Sequence, residues 1–277
     1  MKAIMDYRLI DPAQVGFVNR EEAVAQAKCL VEILDRRRIQ GKDTVLCFVD
    51  LAKAYDSVPH EGLLAKAERF GISGIALRWL KAIYAKPKVM CRDGEGGYSK
   101  PQPYDRGVRQ GDPLSPALFD IFMDDLMCQE LHDLGVEINV SEQYGYQNNI
   151  DKLAALLYAD DIVMMADNTQ KMQQQCDILS KWCDENEMRV NASKCGIMKF
   201  KFSGDFSVKE DEPRIHIQGH VIPEVDSYTY LGVEIDRKVS LATMIDKRIE
   251  VCKRTILDYR RFLASPHVPL DAKRNCL

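Results

Sequence analysis

Short apolar runs that end in aspartate constrain this chain more than any other feature. Val45-Leu46-Cys47-Phe48-Val49 is long enough for one buried strand and too short for a helix, and it runs straight into Asp50. Two further apolar runs, residues 153–158 and 162–166, are separated by Ala159-Asp160-Asp161, which predicts a hairpin with two carboxylates at its tip. Carboxylates at the ends of buried strands lose hydration and repel one another unless they share a cation. Two or three of them facing each other form a hard oxygen set suited to Mg²⁺. Two such ions about 3.5–4 Å apart support in-line phosphoryl transfer. A lone Asp-Asp is ordinarily a solvated turn, and it is the apolar flanks that raise this one.

The rest of the chain alternates helical and strand-like periodicity. Helices are expected over residues 21–38, ending in the basic run Arg36-Arg37-Arg38, and over 59–70, with Ser57 as cap and Gly71 just beyond. Others are expected from Ser73 to about 85, from Ser115-Pro116 as a long helix to about 131, from Asn168 or Thr169 to about 187, and from Ser240 to about 263. Short strands are expected around 195–202, 215–222 and 228–235, and residues 141–149 form a polar loop. Helices mixed with antiparallel hairpins define an α+β, palm-like layer rather than a doubly wound sheet.

The net charge of −4, from 38 basic and 42 acidic residues, argues against nucleic acid when taken as a whole. Its distribution argues otherwise. Residues 237–277 hold ten Lys or Arg against four acids, a surplus of six, so the preceding body carries −10. No run approaches the ~20 apolar residues of a membrane helix. Nine cysteines, with no Cys-x-x-Cys pair, point away from a disulfide framework or zinc knuckle and toward a reducing, intracellular setting. The pair His216 and His220 lacks a third ligand and reads as structural.

Three ordered segments carry a family resemblance. Phe48-Val49-Asp50-Leu51-Ala52-Lys53-Ala54-Tyr55-Asp56-Ser57-Val58-Pro59-His60 resembles motif A of a reverse transcriptase. Arg106-Gly107-Val108-Arg109-Gln110-Gly111-Asp112-Pro113-Leu114-Ser115-Pro116-Ala117-Leu118-Phe119 resembles motif B, and Tyr158-Ala159-Asp160-Asp161 resembles motif C. The wording is similar to the enzymes of non-LTR (LINE-type) retrotransposons and covers about residues 14–277. It implies a right-hand polymerase, with fingers and palm over residues 1–236 around an antiparallel sheet and the start of a helical thumb over 237–277. The activity implied is RNA-directed DNA polymerisation. Its partners would be an RNA template, a DNA primer and dNTPs, its cofactor two Mg²⁺ ions with Mn²⁺ as the alternative, and its compartment the nucleus.

The resemblance also assigns roles. Asp50, Asp160 and Asp161 would be the metal ligands, with the Leu51 carbonyl as an extra one. Tyr55 would stack under the incoming sugar, where its ring would clash with a 2′-hydroxyl and so select deoxynucleotides. Gln110 and Gly111 would approach nucleotide and template; the plain reading of Gly111-Asp112-Pro113 is a turn ahead of the Ser115 cap. Asn191-Ala192-Ser193-Lys194-Cys195 resembles motif D, whose lysine, here Lys194, would protonate the leaving pyrophosphate. Tyr230-Leu231-Gly232-Val233 resembles motif E, the primer grip, with a strand packed on the palm as its plain reading. The paired basic residues Lys247-Arg248 and Lys253-Arg254 would follow the phosphates of a template–primer duplex. Gln14-Val15-Gly16-Phe17 followed by Arg20 resembles a finger motif, although Val18 stands where an arginine is usual, leaving Arg20 as the triphosphate candidate. Only 13 residues precede Gln14, and the family's thumb runs past position 277, so a core truncated at both ends is expected. That expectation keeps an alternative open: an inactive or repurposed nucleic-acid-binding remnant.

Overall fold

A computed structural model of the chain describes residues 10–17, 23–139, 150–203 and 213–269. Arg20 and the loop expected over 141–149 lie outside the described residues. Along the chain run α1 (Ala23–Ile39), β1 (Thr44–Val49), the short α2 (Ala54–Ser57), α3 (His60–Arg69), α4 (Gly74–Tyr84), β2 (Lys88–Val89), β3 (Gln102–Pro103), α5 (Ser115–Met123) and α6 (Gln129–Asp133). They are followed by β4 (Val136–Asn139), β5 (Ile150–Leu153), β6 (Ala155–Tyr158), β7 (Asp161–Ala166), α7 (Thr169–Glu185) and β8 (Gly196–Phe200). Next come β9 (His216–Ile217), β10 (His220–Val221), β11 (Ser227–Tyr230), β12 (Val233–Asp236), α8 (Leu241–Asp258) and α9 (Arg260–Ala264).

The palm is a four-stranded sheet in the order β6-β7-β1-β8, antiparallel throughout. Every residue of β1 is buried, because both of its faces are covered. Val45, Cys47 and Val49 face a core built with α3, α5 and α7. Leu46 and Phe48 face the opposite way, toward α1 and the β11–β12 pair. This two-sided burial is why the sequence reads as a continuous apolar run without alternation. Phe48 stacks on Tyr228, with ring centroids 4.2 Å apart and planes 7° off parallel, which ties the β11–β12 hairpin to the sheet.

Several expected elements differ. The helix expected from 115 to 131 breaks after Met123 into a tighter turn over Asp124–Leu126 and then α6. The side chains there are drawn apart: Asp124 Oδ1 accepts from the Asp11 amide at 2.8 Å, while Asp125 Oδ1 accepts from Lys66 Nζ at 2.6 Å and Trp182 Nε1 at 2.7 Å. The strand expected over 228–235 is the β11–β12 hairpin, turned by Leu231 (φ 47°) and Gly232 (φ 73°). Ser57 does not cap α3, whose N-cap is Pro59; its hydroxyl donates to the Ala52 carbonyl at 3.1 Å. Ser73 does sit at the N-cap of α4, without a side-chain bond, and Asn168 caps α7 by accepting from the Lys171 amide at 2.9 Å. Tyr259 separates α8 from α9 within the helix expected to 263. Arg37, in the basic run that ends α1, does more than end the helix. It is buried and reaches Thr44 Oγ1 at 2.6 Å and Asp167 Oδ1 at 2.8 Å, fixing α1 to the start of β1.

Candidate active site

The sheet's register places the acidic residues. Val49 pairs with Ile162, so Asp50 follows β1 at the same sheet end where Asp161 opens β7. Tyr158 pairs with Asp161, which leaves Ala159 and Asp160 as a two-residue turn, with Ala159 at φ 57°. Asp160 and Asp161 have pKa values above the ordinary carboxylate range. Burial is the main cause for both; Asp50 adds repulsion at each, Asp160 adds more at Asp161, and the Asp160 backbone amide offsets part of the shift at Asp160. Asp161 keeps an exposed face, so packing around its carboxylate rather than full enclosure produces the burial effect.

The segment resembling motif D lies against Asp50. The Asn191 amide donates to the Asp50 carbonyl at 2.8 Å, and the Ala52 amide donates to Arg189 at 2.7 Å. Cys195 Sγ accepts from the Asp50 amide at 3.4 Å. Burial pushes the Cys195 thiol up to about 11, so it supports Asp50 without adding charge at neutral pH. Lys194 Nζ stands 3.9 Å from Asp50 Oδ2 and is otherwise exposed, the one cation paired to these carboxylates among the described residues. The Leu51 side chain is buried, and the backbone bridge to Val190 is made through the flanking Asp50 and Ala52, so the Leu51 main-chain carbonyl is the group that could contribute to the site.

Tyr55 arrives on α2, its ring stacked on Phe119 of α5 with centroids 4.6 Å apart and planes 15° off parallel. Phe17 meets the same ring edge-on at 6.3 Å. The Tyr55 hydroxyl is buried with no hydrogen-bond partner among the described residues. Burial first, then the charges of Asp120 and Asp160, raise its pKa, so it stays a neutral phenol beside the acidic turn. Gln110 and Gly111 are exposed on the loop before α5, where Gln110 lines a recess with Asp56, Tyr104 and Arg109. Gly111 has φ 85°, and a Cβ there would meet nothing within 4 Å, so the turn itself, not crowding by the protein, calls for glycine.

Two of the expected primer-contacting groups are otherwise engaged. Tyr230 is 2% exposed and packs 6.1 Å from Phe48, so it anchors the hairpin inside the core instead of facing a duplex. Lys247 Nζ pairs with Glu234 Oε1 at 2.5 Å, clamping α8 to β12. Leu231 and Gly232 form the hairpin turn, with Arg248 lying over Gly232. Arg248, Lys253 and Arg254 are exposed on α8.

Two residues gain weight that the sequence did not give them. Gln14 is buried with its side-chain amide on the Ala159–Asp160 turn, and Asp120 is buried on α5 near Tyr55. The available signals were a lone glutamine in an apolar stretch and a carboxylate inside Leu118-Phe119-Asp120-Ile121-Phe122.

The donor set at this sheet end fits a hard divalent cation: carboxylates from three residues, two of them carrying raised pKa values from burial and mutual repulsion, with one lysine to offset them. As placed, the described residues include no group of three or more His, Cys, Asp or Glu side chains that could hold a metal ion, so it is the chemistry of the donor set, not a finished ligand cage, that fits.

The family model for Reverse transcriptase (RNA-dependent DNA polymerase) matches residues 1–235, and the chain belongs to that family. Enzymes of this family generally use divalent metal ions. Within the family, the likeness is to polymerases of non-LTR retrotransposable elements. The chain is 25% identical over 226 residues to a Pol polyprotein from type-1 retrotransposable element R2 of Popillia japonica, covering 80% of this chain and 31% of that protein. It is 27% identical over 230 residues to the RNA-directed DNA polymerase from mobile element jockey of Drosophila melanogaster, covering 81% of this chain and 23% of that protein. The chain thus spans less than a third of these relatives' length. The fold matches apo telomerase from Candida Tropicalis truncated from its C-terminal domain, with a TM-score of 0.54 at 15% identity, covering 85% of this chain and 41% of that one. It also matches the same telomerase in complex with a fragment of telomeric RNA, with a TM-score of 0.54 at 14% identity, covering 85% of this chain and 35% of that one. Among the described residues no helix is long and apolar enough to cross a membrane.

Proposed function

We propose that this chain is an RNA-directed DNA polymerase that adds dNTPs to the 3′-hydroxyl of a DNA primer on an RNA template, in an intracellular, nuclear setting. The observation that carries this reading is the placement of Asp50 beside the Asp160–Asp161 turn at one end of the palm sheet. Asp50, Asp160 and Asp161 would hold two Mg²⁺ ions, with Mn²⁺ as the alternative, and the Leu51 carbonyl would assist. Such ions, when bound, lower the pKa of the attacking hydroxyl and neutralise the leaving phosphate oxygens.

The chain's own groups do the rest. The primer 3′-oxygen bonds to the α-phosphorus as the bond to the leaving pyrophosphate breaks. The hydroxyl proton passes to water, and Lys194 returns a proton to the pyrophosphate. Tyr55, packed against Phe119 and Phe17, would lie under the incoming sugar, where its ring would clash with a ribose 2′-hydroxyl. Gln110 and Gly111 would face the templating pair. Arg248, Lys253 and Arg254 would follow the duplex phosphates from a helical unit that begins at 237. Arg20 is the proposed triphosphate contact.

Primer extension on poly(rA)/oligo(dT) with Mg²⁺ and dTTP tests the reading, with processive extension as the expected result. Salt-sensitive duplex binding with no extension would instead support the remnant reading. Tyr55→Ala is expected to raise incorporation of UTP relative to dTTP by ~10–100-fold, the scale of a lost steric contact in a pocket. Competition between the two nucleotides in the extension assay measures it, and an unchanged ratio would remove Tyr55 from sugar selection.

A further inference from the structure

We infer that Gln14 is a positioning residue that sets the catalytic turn by clamping the backbone of Ala159. The inference rests on the reading that Asp160 and Asp161 are catalytic. A two-residue hairpin turn needs a left-handed residue, and glycine or asparagine ordinarily supplies it. Here that residue is Ala159, whose Cβ disfavours the conformation. Something outside the turn has to hold it.

Gln14 reaches across 145 residues to do so. Its Oε1 accepts from the Ala159 amide at 2.9 Å, and its Nε2 donates to the Ala159 carbonyl at 3.2 Å. Both polar groups of a single turn residue are thereby fixed by one side-chain amide. Oε1 also accepts from the Gly16 amide at 2.9 Å, which fixes the side chain itself. Gln14 is 2% exposed, so water does not compete for these bonds.

The main chain around it is shaped to the same end. The Val15 amide donates to the Leu157 carbonyl at 3.0 Å, and the Leu157 amide donates to Ala13 at 2.9 Å, adding a parallel bridge along β6. A Cβ on Gly16 would stand 2.3 Å from the Ala159 nitrogen, so only glycine lets the segment come this close. One residue on, Phe17 leans on the Tyr55 ring. The segment read from sequence as part of a triphosphate-binding finger therefore touches the carboxylate turn and the sugar-selecting tyrosine together.

The test uses the full chain and two variants, Gln14→Met, which keeps the shape and loses the bonds, and Gln14→Glu, which keeps the acceptor. Three readouts are compared: hydrogen exchange of individual amides by NMR, Mn²⁺ affinity by electron paramagnetic resonance, and single-turnover primer extension. In Gln14→Met the Ala159 amide should exchange about tenfold faster while the β1 amides keep their protection, and Mn²⁺ affinity should fall about fivefold. The maximal extension rate should fall about tenfold with the Kd for dTTP within about twofold, and Gln14→Glu should restore protection of the Ala159 amide.

Wild-type exchange at Ala159 in Gln14→Met, or a loss of protection spread evenly over the sheet, would overturn the inference. If Gln14→Met does not fold, Gln14→Glu decides: a maximal rate lowered about threefold or more with β1 protected supports the clamp, and a wild-type rate rejects it. A chain that extends no primer, yet loses Ala159 protection and Mn²⁺ affinity in Gln14→Met, keeps the clamp and sinks the polymerase reading.

Discussion

Asp160→Asn is expected to lower primer extension by about 10³-fold or more while leaving the fold at least as stable as the wild type. The first half follows from the proposed role of Asp160 as a ligand to ions that would each supply several kcal/mol of transition-state charge stabilisation. The second half follows from the direction of the Asp160 pKa. Burial and the Asp50 charge hold it above its ordinary value, so the folded chain binds that proton more tightly than the unfolded chain does. As pH rises past the ordinary carboxylate value, the unfolded state releases the proton first, and stability is lost. Asparagine removes the charge at similar volume and so removes that loss. Thermal melting at pH 7 beside the extension assay checks both halves. A variant that loses activity because it melts lower than the wild type would show that Asp160 is structural.

Asp120→Asn should produce the largest gain in stability. Asp120 is 2% exposed on α5, and its Oδ1 has no hydrogen-bond partner among the described residues. Burial, helped by the neighbouring charge of Asp124, pushes its pKa up to about 8. In the unfolded chain it titrates near 4, so between roughly pH 4 and 8 the folded chain holds a proton that the unfolded chain has given up. Stability therefore falls through that window, and the full cost is reached above the folded pKa. Asparagine takes no part in the titration and should stabilise the chain at pH 7 by ~2–4 kcal/mol. Urea denaturation at pH 5 and pH 8 measures this: the gap between variant and wild type should widen with pH. An equal gap at the two pH values would mean that Asp120 is hydrated or paired in solution.

The strands that carry Asp50, Asp160 and Asp161 could be read from sequence because their cause is local. β1 is buried on both faces, so it must be apolar from end to end, and the break to Asp50 marks its exit. The hairpin of β6 and β7 announces itself by two apolar arms with a polar tip. The capping of α7 by Asn168 is equally local. What escaped depends on partners far away in the chain. The break after Met123 comes from Asp11, Lys66 and Trp182 acting on two adjacent aspartates. Arg37 read only as part of the basic run that ends α1, because Asp167, its partner, lies 130 residues on. Tyr230 looked like a contact to nucleic acid because its burial against Phe48 is set by the packing of a separate hairpin. Gln14 was read with its neighbours in sequence, while its bonds go to Ala159. Periodicity and turn chemistry carry no information about such pairs.

The central position of β1 also dictates when the site can come into being. β1 has no sheet neighbours until residues 161–166 and 196–200 flank it, more than a hundred residues later in the chain. Pairings of such separation form slowly, because the loop must close before any contact compensates for its lost entropy. During synthesis, Asp50 would leave the ribosome long before Asp160, Asp161 or the segment 191–195 that resembles motif D. The acidic cluster is thus assembled by long-range steps of folding, and a chain made only as far as β1 holds Asp50 apart from its partners, in water.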